Sequence, residues 1–177
     1  THGATLLTAG WQTGAIKIEQ DGERRDVRDL EPVLNDIQPI GGQMLAVAPI
    51  EGGPRMTLRA GHVYIVPKAD RIIIGATSEP GRVLSMPEPD QIAALRSEAI
   101  RICPVLEKAP VLDSWAGVRP GRKNHAPLLG RTSLDDVFVA SGHFRNGILL
   151  APITAQIMAD LILNGRVSPL ASAFAPY

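Results

Sequence analysis

The sequence predicts an α+β fold in which antiparallel strands and helices share the chain. Three observations point there. His62–Val66 and Arg71–Ile74 are β-branched runs separated by Lys68-Ala69-Asp70, the pattern of a hairpin. Between Pro89 and Pro104 the apolar period changes to that of a helix, with Ile92, Leu95, Ala99 and Ile102 on one stripe. Near the end, Val137–Ala140 reads as a buried strand that passes through Gly142 and Gly147 straight into a helix. The 177 residues are 45% hydrophobic and 20% charged, enough for one domain or two small ones, and 17 Gly with 15 Pro imply many turns and short elements.

In chain order, Ala4–Thr8 reads as a short buried strand ending at Ala9-Gly10, and Asp21 to Arg28 as a solvated, mostly charged loop. Gln43–Val47 opens a second β region ahead of the hairpin. Asp90 is placed to cap the helix that follows, and Cys103 lies near that helix's end as a buried thiol. Ser114–Val118 is a further strand, and Arg122-Lys123-Asn124-His125 a small basic cluster in a solvated loop. Ile153, Ile157 and Leu161 recur at helical spacing until Asn164-Gly165 supplies the stop.

Several function classes fall away. Lys+Arg equals Asp+Glu at 18 each, so no global field favours nucleic acid or an anionic membrane. One cysteine excludes an internal disulfide and suits a reducing cytoplasm. Thr1-His2-Gly3-Ala4 lacks the features of a signal peptide, and no uninterrupted apolar run is long enough for a bilayer. No His or Cys pair has metal-ligand spacing, and no Gly-x-Ser-x-Gly is present. No two glycines are separated by a single residue, so the Gly-x-Gly-x-x-Gly loop that cradles a dinucleotide pyrophosphate is missing.

Strand alternation puts His62 and Tyr64 on one face, and Trp115, Gly117 and Arg119 on another, with Gly117 opening space between an indole and a guanidinium. Taken by themselves, Tyr64 is a tyrosine at a domain edge and Arg119 a surface arginine in a Pro-Gly turn. Gly142 and Gly147 leave no Cβ in the way of a ligand, and the helix N-terminus aims partial positive charge at the same place.

The motifs say more than the periods. Gly142-His143-Phe144-Arg145-Asn146-Gly147-Ile148-Leu149-Leu150-Ala151-Pro152 resembles the C-terminal signature of flavin-dependent glycine oxidases, the thiamine-pathway branch of the D-amino acid oxidase family. His62–Lys68, Ile74-Gly75-Ala76-Thr77-Ser78 and Trp115–Gly121 occur in that family's order and at similar separations. The resemblance implies an antiparallel-sheet substrate domain with helices (residues 38–115), flanked by the end of a first FAD-domain segment and a loop (1–37) and by the C-terminal strand and helix of a Rossmann-like FAD domain (116–177). It implies non-covalent FAD, with Gly42, Gly142, His143, Arg145, Asn146, Gly147, Ile148 and Leu149 toward the cofactor and Arg119, Tyr64, Arg145, His62 and Ser78 toward a small amino acid.

The activity implied is oxidative deamination of glycine, sarcosine or a small D-amino acid, by hydride transfer to FAD and reoxidation by O2 to H2O2. No residue is assigned as a certain catalytic acid or base. Gly41 departs from the family, which usually has a basic residue there. With the dinucleotide loop absent, the sequence resembles the C-terminal part of such an enzyme, whose partners would be the substrate, the N-terminal flavin segment and, in an oligomer, its own copies. Two alternatives stay open: another FAD amine oxidase or dehydrogenase of the family, or a non-catalytic fragment acting as a binding module.

Overall fold

The computed structural model describes residues 3–20 and 22–177. Thr1 and His2 of the leading segment and Asp21 of the charged run lie outside the described residues. The chain divides into two compact units, Thr1–Pro39 with Arg119–Tyr177 as unit 1 and Ile40–Val118 as unit 2. The strands are β1 (Thr5–Leu7), β2 (Lys17–Gln20), β3 (Glu23–Asp26), β4 (Gln38–Val47), β5 (Leu58–Ala60), β6 (Val63–Pro67), β7 (Ile72–Gly75), β8 (Glu79–Pro80), β9 (Val111–Gly121), β10 (Leu128–Arg131) and β11 (Val137–Ser141). The helices are α1 (Val27–Leu30), α2 (Pro89–Ile102) and α3 (Gly147–Asn164), joined by short 3-10 turns.

Unit 2 is built on a mostly antiparallel sheet in the order β5-β6-β7-β4-β8, with β9 also pairing β4. The expected hairpin is β6–β7, in the register Tyr64↔Gly75 to Pro67↔Ile72. Strand alternation sends Val63, Ile65, Ile72 and Ile74 into a core with Leu45 and Val47, and α2 covers it with Leu95 and Ala99 while Ile92 and Ile102 pack at the margin. The helix starts differently from expectation. Glu88 is the N-cap residue and Pro89 takes the first helical position, where its missing N–H costs nothing, so Asp90 sits inside the first turn instead of capping it. Cys103 is free, half-buried, and packed against the same core.

Unit 1 holds a three-stranded sheet in the order β1-β11-β10, with β1 parallel to β11 and β10 antiparallel to it. The parallel pairing is the Rossmann-like element. Only Leu7 of β1 is buried, so the expectation of a buried strand holds for one residue of the three. The charged run expected as a loop is instead a strand: β2 and β3 form a hairpin whose register sets Lys17 opposite Asp26 and Glu19 opposite Arg24. Opposite charges facing each other across a ribbon stabilise the pairing, and Lys17 and Asp26 form an ion pair. Beneath it, Leu7, Val27, Leu34, Ile37, Leu128 and Val139 make one apolar cluster, and Leu129, Phe138, Met158 and Leu161 another under α3.

Helix α3 ends as its letters indicate. Gly165 is left-handed at φ 65°, and the amides of Gly165 and Arg166 bond the carbonyls of Leu161 and Asp160. Of the expected stripe, Ile157 and Leu161 are buried and Ile153 is exposed. Phe144–Asn164 is long and apolar enough to cross a bilayer by length and composition, although Arg145, Asn146, Gln156 and Asp160 interrupt its apolar run.

Candidate functional site

The turn from β11 into α3 is built inside unit 1 by residues far apart in sequence. At its floor, the hydroxyls of Ser141 and the fully buried Thr13 both reach the Gly10 carbonyl, at 2.9 and 2.7 Å, tying the turn after β1 to the end of β11. Gly142 follows at φ 78°. A Cβ there would come within 2.8 Å of Arg122 Cδ, so the glycine serves a close approach of the protein to itself, and not an open face as expected. Arg122 also departs from the solvated-loop reading: its side chain is only 11% exposed, and its guanidinium donates to the Ala126 and Pro127 carbonyls at 3.3 and 3.1 Å and lies 3.5 Å from Asp36. Lys123, Asn124 and His125 of that cluster are exposed.

Next in the turn, His143 is half-buried with Nε2 3.0 Å from Thr154 Oγ1 of α3. Burial pushes its pKa below the ordinary histidine value, which favours the neutral ring. Phe144 takes φ 52° and stacks on His125 with centroids 5.2 Å apart, while the exposed Arg145 sets its guanidinium 5.2 Å from the Phe144 ring centre. These contacts hold the backbone so that α3 begins in the open.

The start of α3 lies open to solvent. Asn146 makes no side-chain cap bond, its own amide donates to the His143 carbonyl at 3.0 Å, and a Cβ on Gly147 would meet nothing closer than His143 Cβ at 3.7 Å. Asn146, Ile148 and Leu149 are exposed. The positive end of an eighteen-residue helix suits a group that carries negative charge. Alongside, a groove of about 410 Å³ runs between β1 and α3, lined by Leu6, Thr8, Ala140, Thr154, Ala155 and Ile162 with scarcely any polar surface.

Unit 2 carries Tyr64, half-buried on β6. Its ring lies over Gly75, its cross-strand partner, so closely that a Cβ on Gly75 would sit 2.5 Å from the phenol oxygen. Among the described residues the hydroxyl donates to Met44 Sδ, at 3.7 Å, a weak acceptor that a stronger one can displace. The shared face expected of His62 and Tyr64 is not formed. β6 begins at Val63, and His62 is an exposed turn residue with Nε2 3.1 Å from Glu98 of α2. Ser78 is exposed, Gly41 and Gly42 are buried in β4, and Trp115 is half-buried on β9. The space above Gly117 is open. Arg119, half-buried on the same strand, belongs to unit 1.

Some structural residues gave no sequence signal. Glu31 is fully buried, accepting from the Ser133 amide and, at 2.6 Å, from the Tyr177 hydroxyl. Thr13 is equally silent as a letter, since it acts through Ser141, a partner distant in the chain.

A profile of the DAO family, FAD dependent oxidoreductase, matches residues 5–161. The chain belongs to the FAD dependent oxidoreductase family. It is 42% identical over 144 residues to the bifunctional protein ThiO/ThiG of Synechocystis, covering 78% of this chain and 22% of that protein. It is 38% identical over 136 residues to the glycine oxidase of Bacillus subtilis, covering 76% of this chain and 37% of that enzyme. The crystal structure of glycine oxidase from Geobacillus kaustophilus superposes with a TM-score of 0.74 at 34% identity, over 80% of this chain and 39% of the other. The FAD dependent oxidoreductases it matches are thus far longer, and this chain spans well under half of each.

Proposed function

We propose that this chain supplies the substrate-binding part and the C-terminal flavin-contacting part of an amino acid oxidase acting on glycine or a similarly small amine. The observation that carries the reading is the exposed, uncapped start of α3 immediately after β11, in a chain of the FAD dependent oxidoreductase family. The amides of Gly147, Ile148 and Leu149 would hold the flavin's pyrimidine edge, the Asn146 amide being taken instead by the His143 carbonyl, with Gly142, His143 and Arg145 shaping the turn and Gly42 lending strand backbone. Preorganised donors at that edge favour the negative charge that collects there on reduction. Cys103 packs against the core of its own unit, which supports non-covalent attachment.

Arg119 is the carboxylate-binding residue of this proposal. Its planar fork can meet both carboxylate oxygens, each charge-assisted bond contributing roughly 1.5 to 3 kcal/mol. Tyr64 contributes the phenol O–H that Met44 engages only weakly. Ser78 makes a small, polar wall suited to a substrate with little or no side chain. A bound flavin supplies the two-electron acceptor for the amine's α C–H bond. The protein's part is positioning, with His143 kept as a neutral structural imidazole against Thr154 and not as a base.

The pyrophosphate loop that this chain lacks would come from a further segment. The chain's coverage of 22% and 37% of its relatives and the apolar groove beside β1 support that reading. The test is to purify the chain alone and together with such a segment, recording flavin absorbance and peroxide release with glycine, sarcosine and D-alanine. Colour and peroxide from the pair, with little from the chain alone, are expected. A coloured pair that oxidises none of the three amines overturns the proposal.

A further inference from the structure

On the proposed oxidase reading, Ser78 faces the substrate, yet among the described residues its hydroxyl makes no hydrogen bond; what fixes it is a polar cluster formed by its neighbours on either side. Gln43 is fully buried on β4 and uses its whole amide. Its Nε2 donates to Glu79 Oε1 at 3.0 Å and Glu88 Oε2 at 3.2 Å, while its Oε1 accepts from the Glu88 amide at 2.6 Å, at the start of α2. Its backbone joins the same cluster: the Gln43 amide donates to Thr77 Oγ1 at 2.8 Å, and the Thr77 amide donates back to the Gln43 carbonyl at 3.2 Å. Thr77 Oγ1 in turn lies 2.6 Å from Glu79 Oε1. Arg82 closes the ring, with Nη1 2.6 Å from Glu79 and Nη2 2.6 Å from Glu88.

The loop that Arg82 fastens lies over Gly41. A Cβ at Gly41 would fall 2.8 Å from Leu84 Cδ1 and 3.1 Å from the Arg82 carbonyl, so the space that a basic side chain would need is taken by this loop. The departure at Gly41 and the ion cluster are therefore one arrangement. Two carboxylates sharing one guanidinium and one buried amide leave the Thr77–Glu79 backbone with little freedom.

We infer that Gln43, Glu79, Arg82 and Glu88 form a clamp that positions Ser78, making them positioning residues for recognition of the small amine. The inference rests on the oxidase reading. Its test uses the flavin-loaded protein containing this chain, comparing the unaltered form with Arg82→Met and Arg82→Lys.

With Arg82→Met, amide exchange at Thr77 and Ser78 speeds up by about tenfold while β7 is unchanged, and KM for glycine rises about tenfold with kcat within about twofold. Arg82→Lys, which keeps the charge without the fork, restores part of the KM. Unchanged exchange, or faster exchange with an unmoved KM, overturns the clamp's role. An unaltered flavin-loaded protein that oxidises no amine sinks the oxidase reading itself, and is seen before any variant is compared.

Discussion

Unit 2 closes its own core, whereas unit 1 leaves much of its apolar surface uncovered. In unit 2, α2 turns its stripe onto the sheet and the buried residues form one continuous cluster. In unit 1, α3 buries only Ile157, Met158 and Leu161, and Ile148, Leu149, Ile153 and Leu163 remain exposed on the same helix. Strand β1 pairs β11 and has no partner on its other edge among the described residues. Parallel sheets are ordinarily covered on both faces, and contiguous exposed apolar surface marks an interaction face. The contrast teaches that the core of unit 2 is covered by its own helix, while the long helix of unit 1 keeps an apolar face in the open.

The largest expected effect breaks this contrast most directly. Ile65→Ala, in the fully buried core of unit 2, should cost about 2 to 5 kcal/mol of stability, whereas Leu163→Ala on α3 should stay within about 0.5 kcal/mol in the isolated chain. Denaturant melts of the two variants check it. Equal losses would mean that α3 is already covered.

Arg119 and Tyr64 come next. Arg119→Met should lower kcat/KM for glycine in the flavin-loaded protein by about one to two powers of ten, since each ~1.4 kcal/mol is tenfold. Tyr64→Phe should cost less, about tenfold, because one neutral donor is lost where Arg119 offers two charged ones. A steady-state comparison with sarcosine checks both. If Tyr64→Phe proved the costlier, the phenol would be the main carboxylate contact.

How much of this was legible in the letters differs by the range of the interactions. The β6–β7 hairpin and the α2 stripe follow from local period, and Asn164-Gly165 marked the end of α3 because a left-handed cap has a local chemistry. The β2–β3 hairpin did not show, because its stability comes from cross-strand charge pairs that read as a mere polar run along one strand. Arg122 was misread for the same reason: its burial depends on Asp36 and the Gly142 turn, neither of which neighbours it in sequence. His62 was placed by alternation one residue beyond the true start of its strand, and Glu98 on α2 took it instead. The family motifs supplied what local period could not, the order of the segments around the site.

The two glycines of the β11–α3 turn sharpen the comparison within unit 1, because they should respond with opposite signs. Gly142→Ala places a Cβ at φ 78° against Arg122 and should destabilise by about 1 to 2 kcal/mol or more. Gly147, at φ −55° with open space around it, should accept alanine with a gain of up to about 1 kcal/mol. If Gly147 is kept for a flavin's approach, the stabilised Gly147→Ala variant should nonetheless hold flavin more weakly in the completed protein. Thermal melts and flavin titration separate the two roles.

The smallest effect concerns His143. Its pKa is lowered in the fold by burial, so between that value and the ordinary one near 6.5 the unfolded chain binds more protons than the folded one. The stabilisation from keeping the ring neutral is therefore present above about pH 6.5 and is lost as pH falls through the folded value. Unit 1 should melt earlier under mild acid, and His143→Gln, which retains a hydrogen-bonding group toward Thr154 without titrating, should flatten that dependence. A probe confined to α3 is needed, because the carboxyl groups of Glu79 and Glu88 in unit 2 are also held below their ordinary range. At Glu79, hydrogen bonds from Thr77, Gln43 and Arg82 outweigh the upward push of burial; at Glu88, those from Arg82 and Gln43 do the same. Those carboxylates begin to lose their contribution only below the ordinary carboxylate value of 4.5, whereas the imidazole begins near 6.5, so a step just below pH 6.5 that survives His143→Gln would assign the titration to some other group of unit 1.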